Sequence, residues 1–174
     1  MTVVVYETHA TSEDNEAGIA TGWLGGRLSE AGRAQAEDLG HRRRDDGIEL
    51  VVASDLQRAV ETAQIAFAGS GIPVRLDWRL RECDYGTYNG MPRAVLDAER
   101  VQHVDEPWAG GESWRTAVAR VDSFLDEVRG GRVLLIGHVA TRWALDHRVH
   151  GRSLEELAAE EFEWRPGWEY ELVQ

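Results

Sequence analysis

The stretch VLLIGH, residues 133–138, gives the clearest indication of the fold, because a buried apolar run is followed at once by a histidine. The chain begins in a similar way, where VVVY at residues 3–6 leads through Glu7 and Thr8 to His9. Short aliphatic and β-branched runs are typical of buried strands. Side chains that follow the strands of an open α/β sheet gather at its carboxyl edge. We therefore expect His9 and His138 to face one another across a single pocket.

Further strands and helices alternate along the rest of the chain. Residues 48–53 and 74–76 are predicted strands, and helices are expected from Ser29 to about residue 45, from an N-cap at Ser54 to Phe67, after Ser113, after His138, and over residues 153–160. Strands that alternate with helices form βαβ units with right-handed crossovers. The pattern predicts an α/β protein with a mostly parallel sheet that is covered on both faces.

Two segments do not fit this alternation. Residues 78–111 are rich in glycine, proline and aromatic residues, with one helix expected near residues 92–100, and such a long segment is where a substrate-covering loop would lie. Residues 161–173 alternate between polar and apolar types, which predicts an edge hairpin that turns at Pro166 and Gly167. An apolar edge strand there could pair with a second copy, so a homodimer is a hypothesis.

Composition excludes several classes of protein. The length of 174 residues fits one domain, and the formal charge of −12 opposes nucleic acid as a partner. The one basic run, residues 42–44, is followed by two aspartates and is interpreted as a solvated helix end. All basic residues are arginine, which excludes a Schiff-base or P-loop lysine. Cys83, the only cysteine, is expected to have a packing role.

No apolar run approaches the roughly 20 residues of a membrane span. The N-terminus also lacks the basic and apolar regions of a signal peptide. We expect a cytoplasmic protein with no membrane partner.

Four side chains near the predicted strand ends offer a nucleophile, an acid or base, and an anion-binding group. They are the imidazoles of His9 and His138, the guanidinium of Arg58 and the carboxyl of Glu82. A neutral imidazole is a good nucleophile, and a guanidinium binds anions through charge-assisted hydrogen bonds. A metal hydrolase that uses these groups with Asp84 is an alternative, but their spacing resembles no compact ligand motif. We predict no metal and no cofactor.

The order of the sequence blocks resembles that of the histidine phosphatase superfamily, which is also called phosphoglycerate mutase-like. The blocks that carry the resemblance are Thr8-His9-Ala10, Asn15, Gly22-Trp23, LSEAG at 28–32, Gln35-Ala36, SDLQRA at 54–59, Thr62-Ala63, Arg81-Glu82, Tyr85-Gly86, GGES at 110–113 and Gly137-His138. The resemblance implies a three-layer α/β/α sandwich that forms one domain over residues 1–174. It also implies a two-step reaction through a phosphohistidine.

The resemblance assigns a role to each matching residue. His9 corresponds to the nucleophile and Glu82 to the proton donor, with Asp84 as the second choice. Phosphate-binding roles fall to Arg58, to His138, which is also counted as catalytic, and to the motif positions Thr8 and Asn15.

The family usually begins Arg-His-Gly, whereas this chain has Thr8-His9-Ala10, so one phosphate-binding guanidinium is missing. Three explanations are open. Another arginine could enter the pocket, with Arg142 and Arg27 as candidates, although Arg142 could equally form a surface ion pair with Asp146. The site could be reshaped for a different anion, or the protein could be an inactive binding module.

Tryptophans are numerous for this length. Trp23 and Trp108 fall in loops that would border the pocket, so they are candidate contacts to an apolar part of the substrate. Trp78, Trp143 and Trp164 are expected to pack in the core.

Taken together, the sequence predicts a metal-independent phosphatase that hydrolyses a small phosphate ester. A catalytically impaired anion-binding or regulatory module on the same fold is the alternative.

Overall fold

A five-stranded sheet lies at the centre of the computed structural model, which describes residues 1–173. The strands are β1 (Thr2–Thr8), β2 (Ile19–Ala20), β3 (Leu50–Ala53), β4 (Val74–Leu76), β5 (Met91–Pro92), β6 (Arg132–Gly137) and β7 (Trp168–Leu172). The α-helices are α1 (Glu13–Glu16), α2 (Glu30–Arg43), α3 (Gln57–Phe67), α4 (Arg93–Glu99), α5 (Trp114–Leu125), α6 (Val139–His150) and α7 (Leu154–Ala159). Within residues 1–173, no helix is long and apolar enough to cross a membrane.

The strand order in the main sheet is β4-β3-β6-β1-β7, and β2 and β5 form a separate antiparallel pair. All neighbours in the main sheet are parallel except β7, which runs antiparallel to β1. The predicted mostly parallel sheet flanked by helices is therefore confirmed. In the register of β1 and β6, Thr8 lies opposite Gly137. The next residue of each strand, His9 and His138, therefore leaves the sheet beside the other.

Successive residues of β1 pack into two different cores because side chains alternate between the faces of a strand. Val4 and Tyr6 join the cluster that contains the buried residues of α5 and α6. Val5 joins the second cluster, which α3 and Leu39 of α2 complete. The sheet is thus covered on both faces, and its carboxyl edge is left for the loops that carry polar side chains.

Serine side chains cap three of the helices that the sequence predicts. Ser29 Oγ accepts a hydrogen bond from Gly32 N at the start of α2, and Ser113 and Ser153 cap α5 and α7 in the same way. The prediction of an N-cap at Ser54 was wrong. Helix α3 begins at Gln57 after Leu56, and Ser54 Oγ instead accepts from Leu56 N, two residues further along the chain.

The C-terminal segment forms one strand rather than the predicted hairpin. Only Trp168–Leu172 is extended, and it pairs with β1 along residues 2–6. The free edge of β1 offers β7 a complete ladder of partners, so β7 joins the main sheet without a preceding hairpin strand. Residues 161–167 instead run as an irregular segment from α7 to β7.

The tryptophan predictions were correct only in part. Trp143 is buried as expected, but Trp78 and Trp164 are 52% and 58% exposed. Trp164 lies on the irregular segment before β7, which the sequence pattern had assigned to a strand.

The helix expected near residues 92–100 is present as α4.

Candidate active site

A cavity of about 920 Å³ opens at the carboxyl edge of the sheet, where β1, β3 and β6 end. It brings together most of the side chains that the sequence singled out. The predicted residues that line it are Thr8, His9, Asn15, Arg58, Glu82, Trp108 and His138. Three other candidates, Trp23, Arg27 and Arg142, lie outside its walls.

His9 is held in the tautomer that a nucleophile needs. Its Nδ1 lies 2.7 Å from the carbonyl oxygen of Ala10, and a carbonyl can only accept a hydrogen bond. Nδ1 therefore carries the proton and Nε2 keeps its lone pair. Burial, reinforced by the charge of Arg58, lowers the pKa of His9 to about 3. The imidazole is thus neutral at physiological pH.

Arg58 and His138 carry three buried nitrogen atoms that have no partner among residues 1–173. They are Nη1 of Arg58 and both ring nitrogens of His138, and the indole nitrogens of Trp108 and Trp114, which also line the cavity, are unpartnered as well. Nη2 of Arg58 donates to the carbonyl of Gly22 at 3.0 Å, which fixes the guanidinium in place. Leaving buried polar atoms unsatisfied costs free energy, so these atoms indicate a binding site for a polar ligand.

The two histidines lie close together in this site. Their ring centroids are 5.0 Å apart, with the planes tilted by 48°. Burial lowers the pKa of His138 well below its usual value, and the charge of Arg58 and the neighbouring His9 act in the same direction. His138 is therefore neutral and can donate one hydrogen bond to an anion.

Glu82 faces the cavity with an unusually well-supported carboxyl group. It accepts hydrogen bonds from the backbone N–H groups of Cys83 at 2.9 Å, Ala140 at 3.2 Å and Val139 at 3.3 Å. Burial raises the pKa of Glu82, against the opposing effect of these bonds and of Arg58. A raised pKa keeps the carboxyl protonated to higher pH, as a proton donor requires.

Asp84, the second choice for the acid, is engaged elsewhere. Its Oδ1 accepts from Gly86 N at 2.9 Å and from Asn89 Nδ2 at 2.7 Å, and it does not line the cavity. The geometry thus favours Glu82 over Asp84 for that role.

Trp23 supports the loop of Glu82 instead of facing a substrate. Its Nε1 donates to the carbonyl oxygen of Glu82 at 2.7 Å, and the Arg81 guanidinium lies 4.7 Å from the centre of its ring. The indole is therefore fixed from two sides. The expectation that Trp23 borders the pocket is not met, whereas Trp108 does line the cavity.

Neither arginine proposed to replace the motif arginine reaches the cavity. Arg142 Nε donates to Asp146 at 3.2 Å, and its guanidinium lies 5.3 Å from the ring of Trp168. Arg27 is exposed and pairs with Glu13 at 2.8 Å. At position 8, the Thr8 hydroxyl lies 3.3 Å from the hydroxyl of Tyr6. The ion pair at four-residue spacing is the interpretation of Arg142 that the structure supports.

We therefore expect Arg142→Ala to leave turnover unchanged, within about twofold, because its guanidinium contacts Asp146 and Trp168 and not the cavity. The steady-state kcat/KM of the variant on a phosphate ester that the parent hydrolyses would measure this. A loss of tenfold or more in a variant that melts at the parent's temperature would contradict the placement.

The sequence missed several residues that line the cavity. Arg93 of α4 and Arg100, which directly follows α4, reach it, as do Phe162 and Trp164 from the segment before β7. Arg42 also lines it, although the basic run was interpreted as a solvated helix end. Arg42 and Arg43 both bond to Glu7, and Arg44 donates to the carbonyls of Ile65 and Ala66. An acidic residue directly after a predicted buried strand, Glu7, was the signal that could have identified this cluster.

In chemical terms, the fold and the site define an α/β protein whose pocket holds a buried guanidinium, a carboxyl group and two neutral imidazoles. Comparison with known proteins agrees with this class. Residues 8–164 match the histidine phosphatase superfamily (branch 1). The chain belongs to the histidine phosphatase superfamily.

Relatives by sequence include phosphoglycerate mutases. That of Candida albicans is 38% identical over 99 residues, which cover 54% of this chain and 40% of the relative. A 2,3-bisphosphoglycerate-dependent phosphoglycerate mutase of Streptococcus pyogenes is also 38% identical, over 54% of this chain and 43% of its own. The chain thus aligns with about two fifths of the length of these relatives.

Similar solved structures align over nearly the whole chain. Bacillus stearothermophilus YhfR has a TM-score of 0.83 at 25% identity and covers 99% of this chain and 92% of its own. A mycobacterial glucosyl-3-phosphoglycerate phosphatase, solved with VO3, has a TM-score of 0.78 at 28% identity and covers 90% of this chain and 86% of its own.

Proposed function

We propose that this protein is a metal-independent phosphatase that hydrolyses a small phosphate ester through a phosphohistidine on His9. The observation that carries the proposal is the set of three buried, unpartnered nitrogens on Arg58 and His138 beside the lone pair of His9 Nε2. A phosphoryl group offers negative oxygens to Nη1 of Arg58 and to the one ring nitrogen of neutral His138 that carries a proton. The similarity to a phosphatase structure solved with VO3 supports the same assignment.

In the first step, His9 Nε2 attacks phosphorus, a P–N bond forms and the P–O bond to the alcohol breaks. Arg58 and His138 bind the phosphoryl oxygens, where negative charge is held in the transition state. Glu82 gives its proton to the departing alkoxide, so the alcohol leaves neutral. Because His9 begins neutral, no proton has to be removed from Nε2 before the attack.

In the second step, water attacks the phosphohistidine. Glu82, now a carboxylate, takes a proton from that water while the P–N bond breaks and inorganic phosphate forms. His9 returns to its neutral state and Glu82 to its acid form. The free enzyme is thereby restored without an external reactant other than water.

A panel of phosphate esters, assayed with and without a chelator, tests the proposal. We expect at least one ester to be hydrolysed with release of inorganic phosphate, at a rate that the chelator does not change. Loss of activity on chelation would instead indicate a metal hydrolase. Binding of phosphate esters without any turnover would indicate the binding module that the sequence left as the alternative.

The pH profile gives a second test, through Glu82. Burial raises the pKa of Glu82, so the acid form is present below that pKa and is lost as pH rises through it. Turnover of an alkyl phosphate should therefore fall on the alkaline side, whereas the pKa of about 3 for His9 keeps the nucleophile free across the acidic range above that value.

We expect Glu82→Gln to lower kcat/KM for alkyl phosphates by about a hundredfold and to remove the alkaline decline. Because Glu82 also serves the second step, the comparison uses kcat/KM, which reports the step in which the alcohol leaves. The kcat/KM for p-nitrophenyl phosphate, whose leaving group needs no proton, should fall far less. Equal losses of kcat/KM on both esters would contradict the assignment of Glu82 as proton donor.

A further inference from the structure

Glu7 stands one residue before Thr8 and is almost completely buried at the end of β1. A carboxylate at such a position is unfavourable unless it is paired and hydrogen-bonded. Two guanidinium groups from the end of α2 supply the pairing. Arg42 Nη1 and Arg43 Nε each donate to Oε1 of Glu7 at 2.7 Å.

The two arginines differ in what else they contact. Arg43 also bonds to Asp46 at 2.7 Å and to the carbonyl of Pro166 at 3.3 Å, and it does not line the cavity. Gly167, with a φ of +86°, lies against it, and a Cβ there would come within 2.2 Å of Arg43 Nη2. Arg43 is thus enclosed between α2 and the entry to β7 and serves the fold.

Arg42 lines the cavity wall and keeps part of its guanidinium for a ligand. Its Nη1 is held by Glu7, and its Nε lies 3.2 Å from Asp38, whose side chain is mostly exposed. Nη2 makes no hydrogen bond to any group of residues 1–173. Glu7 therefore orients Arg42, whose side chain lines the cavity with Nη2 uncommitted.

Arg42 does not occupy the position of the missing motif arginine. Glu7 and Thr8 are successive residues of β1 and point to opposite faces of the sheet, and Thr8 lies near the Tyr6 hydroxyl. Glu7 and His9 are about 7 Å apart along the strand, from the rise of about 3.3 Å per residue. The guanidinium of Arg42 therefore lies to one side of the phosphoryl pocket, on the part of the cavity wall that α2 forms.

The cavity wall between the phosphoryl pocket and Arg42 leaves room for a substrate. Along α2, the residues that line the cavity before Arg42 are the small Ala31 and Ala34 and the polar Gln35 and Asp38, and the carboxylate of Asp38 is paired with Nε of Arg42. The cavity therefore continues from His9 along α2 toward the guanidinium. A molecule whose phosphoryl group lies at Arg58 and His138 can extend its alcohol portion in this direction.

We propose that Arg42, held by Glu7, binds a second anionic group on the alcohol portion of the phosphate ester. The inference deepens the proposed function and rests on it for the position of the phosphoryl group. The preferred substrates are phosphate esters that carry a carboxylate or a second phosphate several bonds from the ester oxygen. Arg42 is then a specificity residue, and Glu7 is the residue that positions it.

Binding of non-hydrolysable phosphonates, measured by titration calorimetry, tests this without any need for turnover. The probes are ω-carboxyalkyl phosphonates of increasing chain length, alkyl phosphonates of the same length, and α,ω-alkane bisphosphonates. We expect the parent protein to bind the doubly anionic probes about 10- to 100-fold more tightly than the matched alkyl phosphonates, with an optimum length. The carboxylate and bisphosphonate series show which second anion is preferred.

Arg42→Met should remove this preference, and Arg42→Lys should retain part of it. Arg43→Met is the matched control, because Arg43 bonds to the same oxygen of Glu7 but does not line the cavity. It should keep the preference, with melting temperatures showing that each variant is folded.

Absence of the preference in the parent, or its persistence in Arg42→Met, overturns the inference. A preference that depends on Arg42 in a protein that hydrolyses no ester supports the anion subsite and refutes the phosphatase. If none of the phosphonates binds, the anion subsite is refuted, and the ester panel then decides the phosphatase separately.

Discussion

Replacing His9 by alanine is expected to reduce kcat for any phosphate ester that the parent hydrolyses by more than about ten-thousandfold. The reason is that His9 Nε2 is the only group proposed to form a bond to phosphorus, and Nδ1 is already committed to the carbonyl of Ala10. Neither Arg58 nor His138 can take over the attack without losing its place as a phosphoryl ligand. Single-turnover and steady-state assays of the purified variant measure the loss.

His41→Ala is the matched control for this variant. His41 is exposed on α2 and does not line the cavity, so turnover should stay at the parent level. The His9 variant should still bind phosphonates, because Arg58 and His138 remain. Substantial hydrolysis by His9→Ala, shown to be free of contaminating phosphatase, would require a different nucleophile such as a directly activated water.

Arg58→Gln is expected to lower kcat/KM by about a thousandfold, the second largest effect. Arg58 contributes a buried charge that is fixed by Gly22, and one of its nitrogens has no partner other than a ligand. With a threonine at position 8, no second motif arginine can share the phosphoryl charge. Arg58→Lys should recover only a small part, because an ammonium group lacks the fork of donors.

The same substitution should affect stability in the opposite sense. A buried guanidinium with an unsatisfied nitrogen is costly in the free protein, so Arg58→Gln should melt at or above the parent temperature. Arg33→Gln, which removes an exposed pair with Glu61, is the control for activity and should be silent. A variant that is both active and strongly destabilised would show that Arg58 is structural.

The sequence was sufficient for the parts of the fold that depend on local patterning. Apolar runs identified β1, β3 and β6, and histidines placed directly after two of them converge because Thr8 and Gly137 are in register. Helix starts at Ser29 and Ser113 followed from capping chemistry. These features need only the order of neighbouring residues, which is why they could be predicted.

Features that depend on distant partners could not be predicted in this way. The pairing of β7 with the free edge of β1, instead of with a preceding hairpin strand, is decided by a long-range choice between partners. The reach of long side chains is equally hard to predict. Arg142 turned to Asp146 and Trp168, and Arg42 reached Glu7 across 35 residues of sequence.

The central claim, covalent catalysis by His9, is tested most directly by trapping phosphate on the enzyme. The parent protein is mixed with a phosphate ester that it hydrolyses, quenched at alkaline pH within the first turnover, digested and analysed by mass spectrometry. We expect an acid-labile phosphoryl group on the peptide that contains His9, attached at Nε2, and none in His9→Ala. A parent enzyme that turns over with no phosphohistidine under these conditions, or with phosphate on another residue, would contradict the account.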